Sequence, residues 1–169
     1  MGQVLFLCTG NAARSVMAGA MGRALLPGWT VASAGTHVIE GQPMSWRTRD
    51  AMAGLGFEAN GHRSHQVSRR DVDASDLVVG FAPEHVSYIR RTYPEVAART
   101  ATIKRLCRDL PAAMGSLPER LAALDLDEVR LEPWEEVLDP AGGDIEIFEQ
   151  CAEEVLDLTT RLARLLTGR

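Results

Sequence analysis

Cys8 and Arg14 bracket the segment Cys8-Thr9-Gly10-Asn11-Ala12-Ala13-Arg14-Ser15, in which a hydroxyl follows the arginine. These residue types suit an oxyanion. Gly10 and Asn11 tolerate positive φ, so successive backbone N–H groups can turn inward as an anion nest. Arg14 adds a planar fork that grips two phosphate oxygens at once. A thiol ringed by such donors is stabilised as the thiolate, and a thiolate is a nucleophile. The Ser15 hydroxyl can donate to that sulfur and stabilise it as a leaving group. Cys8 is thus the candidate nucleophile, with Thr9, Gly10, Asn11, Ala12, Ala13, Arg14 and Ser15 as the candidate phosphate-binding loop. The cysteine–arginine spacing alone is a weak signal. Neither other cysteine repeats it, since Ala113 lies six positions after Cys107 and Asp157 six after Cys151.

Displacing a phosphoryl group from an alcohol or phenol also needs an acid for the leaving oxygen. Val137-Leu138-Asp139-Pro140-Ala141-Gly142-Gly143 offers Asp139 at the tip of a stiffened, glycine-containing turn. An Asp-Pro turn opening the last helix is an equally good reading of the spacing.

The elements that must position these groups follow from pattern. Val4-Leu5-Phe6-Leu7 is a continuous apolar run, as expected of a central strand covered on both faces. Met17, Ala20, Met21, Ala24 and Leu25 recur at helical spacing until Pro27-Gly28. Thr30–Ser33 reads as a second strand, Pro43 to about Leu55 as a helix, Asp76–Phe81 as a third strand and Pro83–Tyr93 as a helix. A weaker fourth strand falls around Arg99–Ile103, and a long helix runs from Ile145 to Leu166. The stretch Leu110–Pro140, with Pro111, Pro118, Pro133 and Pro140, reads as a helix plus a long surface loop. Strands alternating with helices predict an α/β fold: a flavodoxin-like, central four-stranded parallel sheet with helices on both faces. Residues 1–169 are expected to form a single domain, and in such sheets ligands sit beyond the carboxyl ends of the strands, where Cys8–Ser15 falls.

The chain has 169 residues, of which 46% are hydrophobic and 24% charged, enough apolar material for a core without staples. Eighteen basic against 23 acidic residues leave a net charge of -5, so neither nucleic acid nor a membrane surface is an expected partner. Three cysteines cannot all pair, and no signal peptide or membrane-length run is present. The expectation is a soluble protein of the reducing cytoplasm with free thiols. The four histidines, His37, His62, His65 and His85, form neither HExxH nor a set with CxxC, so no metal is expected.

Strand-Cys8-Thr9-Gly10-Asn11-Ala12-Ala13-Arg14-Ser15, Ser33-Ala34-Gly35-Thr36, Gly61-His62-Arg63-Ser64 and a late Asp-Pro-x-Gly occur in the order that resembles the low-molecular-weight protein tyrosine phosphatases. The resemblance implies a cofactor-free, two-step phosphatase reaction on a phosphorylated protein, with protein phosphotyrosine the first expectation. Cys8 would form a cysteinyl-phosphate, Arg14 and the loop amides would stabilise the equatorial oxygens, and Asp139 would be the acid. It further implies Asn11, Ser15, Ser33 and His62 as the residues whose hydrogen bonds hold the loop. Inorganic phosphate or other oxyanions would occupy the loop, and a cognate kinase is a further implied partner.

Several positions depart from the family pattern. Many relatives carry a cysteine where this chain has Ala13, the partner that traps an oxidised nucleophile as a reversible disulfide. Ala12 replaces a larger branched residue or, in the arginine-phosphatase branch, a threonine. Ala141 and Val38 replace aromatic walls of the phenol pocket, for which Trp46 or Trp134 would be substitutes, although core packing is the expected use of each. Protein arginine phosphatase is therefore an alternative. Arsenate reductase, which shares the loop, is another, but its relay needs cysteines after the third strand, and Phe81–Tyr93 has none. Cys107 and Cys151 are expected to serve packing. Arg63, Arg69, Arg70, Arg90 and Arg91 read as a solvated surface, or as an attractor of acidic residues beside a phosphorylated site.

Overall fold

The computed structural model describes residues 1–112 and 115–168; Ala113, Met114 and Arg169 lie outside the described residues. A strand apolar at every position is stable only where helices cover both faces of its sheet. The run from Val4 to Leu7 meets that condition. It lies in β1 (Gln3–Cys8), the inner strand between β2 (Thr30–Gly35) and β3 (Leu77–Gly80), with β4 (Thr100–Thr102) beyond β3. All pairings are parallel, with Cys8 opposite Gly35 and Leu7 opposite Gly80. The order β2-β1-β3-β4 is that of the flavodoxin-like sheet, as the sequence predicts. Its switch point lies at β1, so a crevice opens at the carboxyl end of that strand.

Alternation along β1 divides the core. Val4, Phe6 and Cys8 pack with residues of α1 (Arg14–Leu25) and α7 (Ile145–Thr167), among them Met17, Met21, Val155 and Leu162. Leu5 and Leu7 pack with Val72 of α3 (Arg69–Asp73) and Ile89 of α4 (Pro83–Thr92). The long helix α7 buries Phe148, Cys151, Ala152, Val155, Leu158 and Leu162, a stripe at helical spacing. Asp144 caps its start through the Ile147 N–H, and Gly168 ends it at φ 71°, where a side chain would be strained.

Where the elements differ from expectation, short-range capping is the reason. α2 (Trp46–Gly54) begins after Ser45 rather than at Pro43, because the Ser45 hydroxyl accepts the Thr48 N–H at 3.2 Å. The unpredicted α3 is a single capped turn, with Ser68 and Asp71 forming a reciprocal capping box. β4 stops at Thr102, whose hydroxyl accepts the Arg105 N–H at 3.2 Å and opens α5 (Ile103–Asp109).

The irregular stretch before Pro140 contains α6 (Leu117–Ala122) and a 3-10 turn, Pro133–Glu135, and arginines hold the intervening carbonyls. Arg90 donates to the carbonyls of Leu126 at 2.7 Å and Val129 at 2.8 Å. Arg105 donates to the Arg130 carbonyl and to the buried carboxylate of Glu135, which also accepts the Thr102 hydroxyl at 2.7 Å. These bonds fix the chain just before Val137. Trp46 and Trp134 are not core residues: Trp46 lies beneath Arg47, and Trp134 beneath Arg108 at 3.8 Å. Arg90 is likewise not simply solvated, and Arg69 pairs with Glu95 while covering the Tyr93 ring.

Candidate active site

β1 delivers Cys8 to the crevice, buried at 3% exposure. α1 starts at Arg14 with Ala13 as its N-cap, so no side chain caps it, and its first turn carries no acidic residue. The unbonded first-turn N–H groups and the positive end of the helix dipole are therefore directed at whatever lies before Cys8–Arg14. Ser15 Oγ lies 3.0 Å from Cys8 Sγ and accepts from Asn11 Nδ2 at 2.9 Å. That second bond leaves the Ser15 proton free to donate to the sulfur.

Asn11 adopts φ 49°, a conformation that costs on the order of 1–3 kcal/mol unless its surroundings hold it. They do so from three segments. Asn11 Nδ2 also donates to Ser33 Oγ at 3.2 Å, its Oδ1 accepts the His65 N–H at 3.0 Å, and its carbonyl lies 2.9 Å from His62 Nε2. Asn11, Ser15, Ser33 and His62, the supporting residues expected from sequence, thus converge on one turn. Burial lowers the His62 pKa, opposed by the Asn11 carbonyl and reinforced by Arg23 and Arg63. A neutral imidazole with its proton on Nε2 meets that carbonyl as a donor.

The outer wall of the loop is fixed by backbone contacts. Thr36 and His37 N–H groups donate to the carbonyls of Cys8 and Thr9, each at 2.9 Å, and the Thr48 hydroxyl donates to Ala12 O at 3.0 Å. Gly35 allows this approach: a Cβ there would meet Val38, stand 2.5 Å from Thr9 O and 2.8 Å from Asn11 N.

Arg14 is buried, its Nη1 donating to the Val137 carbonyl at 2.9 Å and its Nη2 to Asp139 Oδ2 at 3.0 Å. Asp139 comes from the other end of the sequence yet faces the loop. Val137 N–H donates to Phe81 O at 2.7 Å, tying this segment to the end of β3, and Asp139 Oδ1 accepts the Ala141 N–H at 3.0 Å. The expected site residues are therefore brought together: Cys8, Arg14 and Asp139 at one end of the sheet, with Thr9 to Ser15 around them.

Sequence reasoning missed His65, Thr48 and the Val137 carbonyl, and it missed His85. This histidine is buried in the first turn of α4, with Nδ1 accepting the Phe81 N–H at 3.1 Å and Nε2 lying 3.0 Å from Thr9 Oγ1. Burial, with the charge of Arg14 adding to it, pushes its pKa down to about 3. Its one legible signal was position, directly beyond a strand's carboxyl end. His65 is the opposite case. Burial lowers its pKa, but hydrogen bonds to Glu40 at 3.0 Å and Asp71 at 2.8 Å and the charges of both raise it further, to a net increase.

Of the remaining thiols, Cys107 faces the Leu158 carbonyl, whereas Cys151 lies behind the site, 3.9 Å from the Leu138 carbonyl. Burial pushes Cys107 up to about 11 and Cys151 up to about 12. Among the described residues no group of three or more His, Cys, Asp or Glu could hold a metal ion, and no helix is long and apolar enough to cross a membrane.

Comparison with known proteins agrees with the loop and the sheet. The family model for low molecular weight phosphotyrosine protein phosphatase matches residues 3–119. A protein-arginine-phosphatase of Geobacillus stearothermophilus is 31% identical over 97% of this chain and 95% of its own length. A low molecular weight protein-tyrosine-phosphatase of Streptomyces coelicolor is 32% identical over 95% of this chain and 90% of its own. Among solved structures, the YwlE arginine phosphatase from Geobacillus stearothermophilus superposes with a TM-score of 0.81 at 30% identity, covering 99% of this chain and 94% of that one. A cysteine-dependent phosphatase matched to these proteins over nearly its full length and theirs, the chain belongs to the low molecular weight phosphotyrosine protein phosphatase family.

Proposed function

We propose that the chain dephosphorylates protein side chains by double displacement at Cys8, and that phosphoarginine is its preferred substrate. The observation that carries the chemistry is the convergence of Cys8, the uncapped start of α1, Arg14 and Asp139. The Cys8 thiolate attacks phosphorus, forming an S–P bond as the bond to the leaving group breaks. Arg14 and the loop N–H groups hold the equatorial oxygens, where charge builds in the transition state. Asp139 gives its proton to the departing oxygen or nitrogen and then takes one from the water that attacks the phosphocysteine. Inorganic phosphate leaves, and Ser15 stabilises the returning thiolate.

The residues at the pocket wall favour phosphoarginine over phosphotyrosine. The positions that would wall a phenol carry Ala141 and Val38, and an aromatic pair contributes about 0.5–1.5 kcal/mol beyond area burial, so two absences weaken aryl binding tenfold or more. A protein named as an arginine phosphatase and one named as a tyrosine phosphatase both match over nearly the full chain, so the wall positions carry the preference. For arsenate reduction the chain would need attacking thiols, and both other cysteines have raised pKa values. The cytoplasm is the proposed compartment, and a kinase acting on the same protein side chains the proposed counterpart.

Purified protein assayed side by side on phosphoarginyl and phosphotyrosyl peptides, and on arsenate with thioredoxin, tests this. Phosphoarginine turnover should exceed the others. Cys8→Ser should abolish hydrolysis while retaining most oxyanion binding; hydrolysis surviving in that variant would rule out the phosphocysteine route.

A further inference from the structure

Resting on the phosphoarginine reading, we propose that Thr9 and Glu84, with His85 as a positioning residue, form a polar wall that selects a cationic, hydrogen-bond-donating leaving group. His85 has its Nδ1 lone pair committed to the Phe81 N–H at 3.1 Å. The neutral ring must therefore carry its proton on Nε2, which lies 3.0 Å from Thr9 Oγ1 and donates to it. Thr9 is the residue after the nucleophile, so this bond sets the direction of a hydroxyl on the phosphate loop. With one lone pair occupied by His85, the Thr9 proton turns outward, toward Glu84 Oε1 at 3.4 Å.

Glu84 is 67% exposed in its side chain and lies 3.6 Å from His85 Nε2, too long for a hydrogen bond. The ring is neutral, so it leaves the carboxylate charge unbalanced. The surroundings of Thr9 thus carry an exposed, uncompensated carboxylate and an oriented hydroxyl. A phenol ring offers such groups neither charge nor donors. A phosphorylated guanidinium offers both: once its phosphoryl oxygens are in the loop, its other nitrogens carry N–H groups that need acceptors. A charge-assisted bond of this kind is roughly twice as strong as a neutral one. The phosphoryl dianion is common to both substrates, so Glu84 discriminates through the guanidinium charge and N–H groups that a phenol lacks.

The experiment compares kcat/KM on phosphoarginyl and phosphotyrosyl peptides of one sequence for the wild type, Glu84→Gln, Thr9→Val, Thr9→Ser, His85→Gln and His85→Leu. In Glu84→Gln the phosphoarginine-to-phosphotyrosine ratio should fall at least tenfold, mainly through KM for the phosphoarginyl peptide. Thr9→Val should also lower the ratio, and Thr9→Ser, which keeps the hydroxyl, should recover it. His85→Leu should lower it, and His85→Gln, which retains an N–H donor of similar reach, should recover part. Equal losses in both His85 variants would give His85 a packing role alone and overturn its part. If the wild type hydrolyses phosphoarginine but Glu84→Gln leaves the ratio within twofold, the selecting wall is wrong while the substrate reading stands. A wild type active only on phosphotyrosine would overturn both.

Discussion

Arg14 and Asp139 are 125 positions apart in sequence and meet in an ion pair of 3.0 Å, with the guanidinium buried and the carboxylate half exposed. The same guanidinium holds the Val137 carbonyl, so one side chain from the phosphate loop fixes both the backbone and the carboxylate of the opposing turn. These two bonds use two of the five N–H groups of Arg14, so the others remain for phosphoryl oxygens while Asp139 is held beside them.

Asp139→Asn should accordingly slow substrates with poor leaving groups by about 10²–10⁴-fold, the usual contribution of a positioned acid. Activated aryl phosphates should be slowed far less. Turnover across a series of leaving groups measures the difference, and equal slowing across the series would remove Asp139 from the acid role.

Asn11→Ala removes the side chain that bonds Ser15, Ser33 and the His65 N–H while leaving the positive φ in place. With each hydrogen bond contributing about 1 kcal/mol net, and the backbone strain uncompensated, a loss of about 2–4 kcal/mol is expected. Urea denaturation measures it. kcat should fall as well, because the amides no longer point to one place.

Two histidines should bend the stability profile in opposite senses. His85 is held down to about 3, so below its unfolded value near 6.5 the unfolded chain takes a proton that the folded chain refuses. Its contribution is complete above about pH 6.5 and is lost as pH falls toward 3. His65 is raised by Glu40 and Asp71, so its contribution is complete below its unfolded value and fades as pH rises through its elevated folded value. Denaturant titrations at a series of pH values should show a shallower acid-side decline for His85→Gln and no alkaline-side fade from position 65 in His65→Gln.

Glu135 is fully buried and accepts from Arg105 and from the Thr102 hydroxyl. Glu135→Ala leaves Asp109, at 3.2 Å from Nη1, as the remaining carboxylate partner of Arg105 and unpairs the Thr102 hydroxyl, and should cost about 2–4 kcal/mol. Replacing Arg105 and Glu135 together by apolar residues of similar size should recover much of that loss, as measured by the same denaturation. A single variant no less stable than the wild type would refute the anchoring role.

Peroxide should inactivate the enzyme without recovery. Ala13 stands where a resolving thiol would be, and the Cys151 thiol, pushed up to about 12, is a poor attacking group at neutral pH. Mass spectrometry should find sulfinic and sulfonic acid at Cys8 and no Cys8–Cys151 disulfide. Full recovery with dithiothreitol after prolonged treatment would contradict this.

The sequence displays the strand that ends at Cys8 and the loop after it because both are local: an apolar run, a turn and a helix start are adjacent in the chain. Ser33 and His62 were legible through resemblance, since nothing nearby distinguishes them from ordinary turn polarity, and for Asp139 the resemblance decided between an acid and an Asp-Pro turn. His65 acts on Asn11 through its backbone N–H, which no side-chain pattern reports. Arg90 reads as surface charge and nothing in the pattern singles out Arg105 or Arg120, yet their forks hold carbonyls 9 to 45 positions away and order a segment that otherwise looks irregular. α3 and α5 span five and seven residues, too few for periodicity to mark them, and only the hydroxyls of Ser68 and Thr102 signal where they begin.

Gly35 contributes no atom to the chemistry and still limits it. Even a single methyl at that position would press on the Thr9 carbonyl and the Asn11 amide, pushing the peptide planes that face the substrate out of alignment. In a saturation library selected for turnover, position 35 should return one codon family only, while Ser33, two residues earlier on the same strand, should still accept threonine.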